Sequence, residues 1–184
     1  MTGYIPKEEK EFEETVIEIK RVSKKTKGGN TIRFTALVVV GDKKGRVGVG
    51  LSKSPDVRGA ITKAFDHAKR RLITVPLKGD TIPYGAEEKF SAAKVILKPA
   101  PSGSGVVAGG PMRAVLEAAG VRNAVGKILG TTNKASNVYA TINALKKIGK
   151  IDRKLNARKD IFAAKKDKKN DDRKSTKIKK ASKK

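Results

Sequence analysis

Cysteine is absent from the 184-residue chain, which removes disulfides, thiolate metal sites and cysteine nucleophiles from consideration. Histidine occurs once, at His67. Helical rotation sets it opposite Ile61 and Phe65, with no nucleophile to serve and no companion ligand, so neither general-base nor metal chemistry is expected there. Aromatic residues make up 4% of the chain, which argues against a surface that holds single strands by base stacking. No apolar run approaches the roughly 18 residues that span a bilayer; the densest, residues 36–40, suits a buried strand. The first residues, MTGYIPKEEKEFEE, are acidic and unlike either a secretory signal or an arginine-rich presequence. The expectation is a cytoplasmic protein with no catalytic residue, no metal and no cofactor.

Acidic residues are the scarce charge. Lysine and arginine number 43 against 18 aspartates and glutamates, a formal charge of +25. Such an excess says little about fold and much about partners, which are expected to be nucleic acid or another anionic surface. Residues 150–184 hold 16 of the basic residues and 5 of the acidic ones, and the rest of the chain keeps a net charge of +14. The body is therefore basic without its tail.

The chain is organised around GRVGVGLSKSPDVRGAITKAFDHAKRRL, residues 45–72. Val47, Val49 and Leu51 alternate on one face of a strand. Gly48, Gly50 and Ser52 leave the other face nearly bare, open to close approach by another backbone, of protein or nucleic acid. Ser54 is expected to cap the following helix, with Pro55 at its first position and Asp56 at its positive end. Val57, Ala60, Ile61, Ala64, Phe65, Ala68 and Leu72 form one apolar stripe. Arg58, Lys63, Lys69, Arg70 and Arg71 lie outside it, facing something negative.

Upstream, residues 13–22 and 31–41 alternate as two strands of an antiparallel hairpin, the second becoming apolar on both faces. The loop between them, SKKTKGGN (23–30), offers Lys24, Lys25 and Lys27 on a tip loosened by Gly28 and Gly29. Ser23 and Asn30 add neutral hydrogen-bonding groups. A solvated turn would use the same residues; Arg21, Arg33 and Arg46 nearby favour a phosphate-binding tip.

Pro76, Gly79, Asp80, Pro83 and Gly85 then break the pattern and place a domain junction near residue 75. The expected division is a flexible lead-in over 1–12, a first domain over 13–75, a linker over 76–89, a second domain over 90–150 and a basic extension over 151–184. From Lys165 onward the extension is lysine-rich and of low complexity, which predicts disorder in isolation. The second domain reads as strand (90–99), helix with Met112, Val115, Leu116 and Ala119, strand (124–129), and helix. TTNKASN (131–137) caps the last helix, whose stripe is Val138, Ile142, Leu145 and Ile148. Gly103, Gly105, Gly109 and Gly110 lie between a strand and a helix start, yet Pro111 and Met112 stand where a phosphate loop needs lysine and serine or threonine. The amides of that loop are instead expected to meet an RNA phosphate or a neighbouring protein. Glu87 and Glu88 fall in the linker, where a surface role is expected.

Three segments, taken in order, carry a resemblance: RVSKKTKGGNTIRFTALVVVGDKKGRVGVG, SKSPDVRGAITKAFDHAKRRL, and SGSGVVAGGPMRAVLEAAGV with GTTNKASNVYATINAL. Over about residues 13–150 the chain resembles the bacterial small-subunit ribosomal protein S-five family. That resemblance implies an α+β fold. Its N-terminal sheet and helix resemble a double-stranded-RNA-binding domain, and its C-terminal part is a two-layer α/β domain with a left-handed βαβ crossover, a rare hand. It implies no enzyme but a structural constituent of the small ribosomal subunit, binding ribosomal RNA, aiding assembly and supporting translational accuracy. The partners implied are small-subunit ribosomal RNA, neighbouring proteins of the S-four and S-eight families, and messenger RNA where it enters the subunit, with no membrane. In the family the loop matching 23–30 reaches RNA near the spectinomycin site, and the segment matching 109–113 lies towards S-four. The RNA-contacting set expected on all these grounds is Arg21, Ser23, Lys24, Lys25, Lys27, Gly28, Gly29, Asn30, Arg33, Arg46, Lys53, Lys63, Lys69, Arg70, Ser102, Ser104, Thr131, Thr132, Asn133 and Lys134. Gly109, Gly110 and Arg113 are expected at a protein interface.

Overall fold

A computed structural model describes the backbone of residues 12–181 and the side chains of residues 12–158. The expected lead-in over residues 1–11 lies outside the described residues. The chain forms β1 (Glu13–Thr26), β2 (Gly29–Gly41), β3 (Arg46–Ser54), α1 (Val57–Lys69), β4 (Ile73–Thr74), β5 (Ala86–Phe90), β6 (Ala93–Pro99), β7 (Val106–Val107), α2 (Gly110–Ala118), β8 (Ala124–Leu129) and α3 (Lys134–Ala181). One antiparallel sheet has the order β1-β2-β3-β4, and a second has the order β5-β6-β8-β7. Among the described strands only β7 and β8 pair in parallel, and α2 supplies the crossover that a parallel pair requires.

β2 is apolar on both faces because both are covered. Ala36, Val38 and Val40 pack beneath Ala60, Ala64 and Ala68 of α1. Leu37 and Val39 turn the other way, into a core shared with Val47, Val49, Val95, Leu97, Met112, Val115, Leu116, Leu145 and Ile148. That core joins the two sheets, and residues Met1–Gly149 form one compact unit. Part of the stretch expected as a linker lies inside it: Ile82 is buried, and β5 begins at Ala86. Glu87 and Glu88 accordingly sit on a strand, where Glu88 pairs with Lys147 at 2.8 Å.

The nearly bare face of β3 does receive another backbone, and it is the protein's own. The carbonyls of Ala64 and Ala68 approach so closely that a Cβ at Gly50 or Gly48 would overlap them. Only a helix with alanines on its inner face can lie this near a sheet. Ser54 does not cap α1. Its pairing with Phe34 keeps it in the β ladder, and Asp56 takes the cap with φ −107 and ψ 148, its carboxylate accepting from the Gly59 amide at 3.2 Å.

The segment 23–30 is also not a loop. Ser23, Lys24, Lys25 and Thr26 pair with Ile32, Thr31, Asn30 and Gly29, leaving Lys27 and Gly28 alone in a two-residue turn. Short turns of this kind keep both strands paired to the tip.

The turn between β2 and β3 fastens the two sheets. The Asp42 Oδ1 accepts from the amides of Lys44 (2.8 Å) and Arg46 (2.9 Å), and Oδ2 accepts from Arg46 Nε at 2.7 Å. The shaped turn points the amides of Lys43 and Gly45 at the carbonyls of Ala118 and Ala119, at 3.1 and 3.0 Å. These are the end carbonyls of α2, which lack partners within their own helix. Burial alone raises the Asp42 carboxyl; the Arg46 side chain and the two amides outweigh it and hold the group below its ordinary value of 3.8. A lowered folded value means that the stabilisation is complete above the ordinary value and is lost as pH falls through the lowered one. Asp42→Asn should therefore lower stability most at neutral pH, and the gap to the parent should close in acid. Urea unfolding across that range measures both.

α3 begins at a cap built by Asn133, whose Oδ1 accepts from the Ala135 amide at 3.2 Å. Its expected stripe is buried at Val138, Ile142, Leu145 and Ile148. Lys150–Lys184 forms a separate unit. Where disorder was expected from Lys165, the backbone is helical to Ala181. Residues 150–181 contain neither glycine nor proline, and lysine, arginine and alanine there are good helix formers.

Candidate nucleic-acid interface

β3 ends at Ser54, opposite Phe34, so the hairpin continues alone from the Arg21–Phe34 pair to its tip. Five residues at about 3.3 Å each give an arm that projects about 17 Å beyond the three-stranded sheet. Directly paired residues share a face and neighbours alternate. Lys24, Arg33 and Lys53 thus stand on the face away from α1, with Lys20. Arg21, Ser23, Lys25 and Asn30 stand on the α1 side, and Lys27 and Gly28 occupy the tip. Lys24, Thr31, Arg33 and Lys53 line an open cleft of about 350 Å³ on the face away from α1. Among the described residues no carboxylate pairs with Lys24, Lys25, Lys27, Arg33 or Lys53. A larger cleft of about 470 Å³, bounded by Glu13, Lys43, Glu117 and Arg122, carries both signs of charge and offers a polyanion no net attraction.

The structure extends the cationic face to the start of α3. Glu18 bridges Lys20 at 3.1 Å and Lys134 at 3.6 Å. Thr131, Thr132, Asn133 and Lys134 thereby lie beside the sheet, and Asn137 Nδ2 donates to the Thr131 carbonyl at 3.1 Å. Gly109 and Gly110, which open α2, lie at the same end of β8, since a Cβ on Gly109 would meet Ile128 at 2.9 Å. Arg113 is tied back to the Val106 carbonyl at 3.0 Å.

Other expected residues are drawn elsewhere. Ser102 and Ser104 lie at the opposite end of β8, where Gly105 accepts from the Ala124 amide. Arg46 is committed to Asp42 and stands 5.2 Å from the Phe12 ring centre; Lys69 covers the Phe65 and Phe12 rings at 4.6 and 5.6 Å. Lys63 and Arg70 remain on the exposed side of α1 or its end.

The residue sequence reasoning missed is Asn123. It is buried, and its Oδ1 accepts from the amides of Gly103 and Gly105, both at 3.1 Å. Its carbonyl accepts from Thr81 Oγ1 at 2.7 Å. A lone asparagine before a strand carries no pattern from which a partner twenty residues upstream is legible. Asn123→Ala should cost about 1–2 kcal/mol, with faster amide exchange at Gly103 and Gly105; unchanged exchange would show that the loop holds itself.

Among the described residues no group of three or more histidines, aspartates or glutamates could hold a metal ion. Two sheets on one core and a projecting arm of cations that no carboxylate pairs among the described residues define a class: a basic α+β scaffold with binding surfaces. Residues 12–76 match the model of "Ribosomal protein S5, N-terminal domain", and residues 88–159 match that of "Ribosomal protein S5, C-terminal domain". The chain is 51% identical over 150 residues to the "Small ribosomal subunit protein uS5c" of Spinacia oleracea, covering 78% of this chain and 49% of that relative. It spans about half the length of that relative. The chain belongs to the ribosomal protein S5 family.

Proposed function

We propose that the chain is a structural, non-enzymatic constituent of the small ribosomal subunit, in ribosomes of the cytoplasm or of a plastid. It binds small-subunit ribosomal RNA chiefly through the hairpin arm, helps the subunit assemble and supports accurate decoding. The observation that carries this reading is the set Lys24, Lys25, Lys27 and Arg33 on an ordered arm, with Lys53 beside its base, none of which pairs with a carboxylate among the described residues. Phosphate contacts from such a set position a protein on RNA without reading its sequence. Asn133 and Lys134, beside the same sheet, extend the contact, with Thr131 and Thr132; Lys63 and Arg70 offer a second basic face, and Ser102 and Ser104 a separate outpost. Arg46 and Lys69 serve mainly to hold Phe12. Gly109, Gly110 and Arg113 face a neighbouring protein of the S-four family; a protein of the S-eight family and messenger RNA where it enters the subunit are further partners.

Sedimentation of gently lysed source cells tests this directly. The chain should travel with small subunits and stay with them at high salt, as many specific contacts require. A chain that remains at the top of the gradient, or leaves at modest salt, overturns the reading in favour of a loose nucleic-acid binder.

A further inference from the structure

Both helices that pack on the second sheet lie on the same face of it. Met112 of α2 crowds Gly126, the Tyr139 ring of α3 lies 5.4 Å from that of Phe90, and Lys147 of α3 pairs with Glu88. Alternation sends the neighbouring position of every strand to the opposite face. There Ile96 is half-buried, while Leu129, Val125 and Val107 are 40, 43 and 55% exposed. Leu129, Ile96 and Val125 are diagonal neighbours across the central pair β6 and β8, within reach of one another, and Val107 stands directly beside Val125. The four make an aliphatic zigzag down the middle of the sheet.

Lysines frame it. Lys94 stands opposite Leu129, Lys127 opposite Ile96 and Lys98 opposite Val125, with Lys89 next to Lys94 on β5. Glu87 is the one carboxylate that these strands place on this face, and it pairs with Lys94 at 2.5 Å. Among the described residues no carboxylate pairs with Lys89, Lys98 or Lys127.

Four lysines against one glutamate fit an acidic partner, and the zigzag says of which kind. A sheet face that binds RNA stacks bases on aromatic side chains. Here the sheet's one aromatic residue, Phe90, stands on the other face against Tyr139. Aliphatic side chains set between lysines are matched by other aliphatic side chains with acids beside them. A helix is about 10 Å across and strands lie about 4.8 Å apart, so one helix laid along β6 and β8 covers the zigzag. The lysine stems then lie against its flanks with their charged heads in reach of acidic side chains there.

We propose that this face docks a helix of another protein, aliphatic along its inner stripe and acidic on either side of it. The sheet is then layered by helices on both faces, an arrangement that buries both. This surface is separate from the hairpin arm, and its occupant goes beyond the RNA-binding reading.

The probe is a peptide of about 20 residues, long enough to form helix, with leucines at helical spacing, glutamates flanking them and alanine elsewhere. A scrambled peptide of the same composition controls for charge alone. The full chain should bind the striped peptide about tenfold more tightly than the scrambled one, because only the stripe buries aliphatic surface. Val125→Thr with Leu129→Thr, which keeps charge and strand preference, should abolish that ratio. Replacing Lys24, Lys25 and Lys27 with alanine should leave it unchanged, so failure here and failure of the arm to bind RNA are told apart. The native chain has no cysteine, so Val125→Cys supplies a second readout. The striped peptide should shield it from a small thiol reagent and should not shield Leu51→Cys on the first sheet. Equal binding of the two peptides overturns the proposal, as does a ratio that survives the threonine variant or a Val125→Cys thiol left unshielded. Shielding of Val125→Cys by small-subunit ribosomal RNA would also overturn it and assign the face to RNA.

Discussion

Gly50→Val should destabilise the fold by about 3 kcal/mol or more, at the upper end of what overpacking costs. The added side chain would fall on the Ala64 carbonyl and crowd the Ala68 amide. Both are helix backbone, so no rotamer change relieves the overlap and α1 must lift as a body. Lifting it uncovers Ala36, Val38 and Val40, against which only Phe12 and Phe34 pack from outside α1 among the described residues. Gly126→Ala gives the contrast. Its Cβ would meet Met112 Sδ, the end of a flexible side chain, so the cost should be smaller because a thioether can swing aside. Gly28→Ala, with nothing within 4 Å, should be nearly neutral. Urea unfolding of the three variants ranks them. A Gly50→Val protein as stable as the parent would mean that α1 does not rest on β3.

Much of this arrangement is legible in the sequence, because period carries it. The alternation of Val47 and Val49 with Gly48 and Gly50 announces a strand with one empty face, and the stripe through the alanines at 60, 64 and 68 announces an amphipathic helix. What period cannot say is which backbone fills the gap. Nor can it say that the core is continuous. Leu37 and Val39 look like one small domain's interior, yet they pack with Met112 and Leu145, more than seventy residues away. The glycines of SKKTKGGN suggest a mobile loop. Cross-strand pairing overrides that suggestion and sends Lys24 and Lys25 to opposite faces. The arm's cations are named by composition, but the grouping of Lys24 with Lys53 and of Lys20 with Lys134 through Glu18 exists only once the sheets are folded. Arg46 shows the converse: a cation near the arm in sequence is spent on Asp42 and Phe12.

Replacing Lys24, Lys25 and Lys27 together with alanine should weaken binding to small-subunit RNA about twentyfold near 0.15 M salt and hardly at all near 1 M. Each phosphate contact contributes roughly 0.7–0.9 to the slope of log K against log salt, so with Lys24 and Lys27 making the contacts the slope should flatten by roughly 1.4–1.8 units. The loss follows from carrying that slope down from 1 M, where released counterions no longer favour binding. An ordered arm makes the single variants informative in a way that a flexible loop would not. Lys24 shares its face with Arg33 and Lys53, so Lys24→Ala should alone cost about fivefold by the same arithmetic. Lys25 projects to the α1 side, and Lys25→Ala should cost far less if RNA approaches from the cleft side. Filter binding or anisotropy across a salt series separates the two. Equal losses at Lys24 and Lys25 would mean that RNA encloses the arm from both faces, and an unchanged slope in the triple variant would mean that the arm does not touch phosphate.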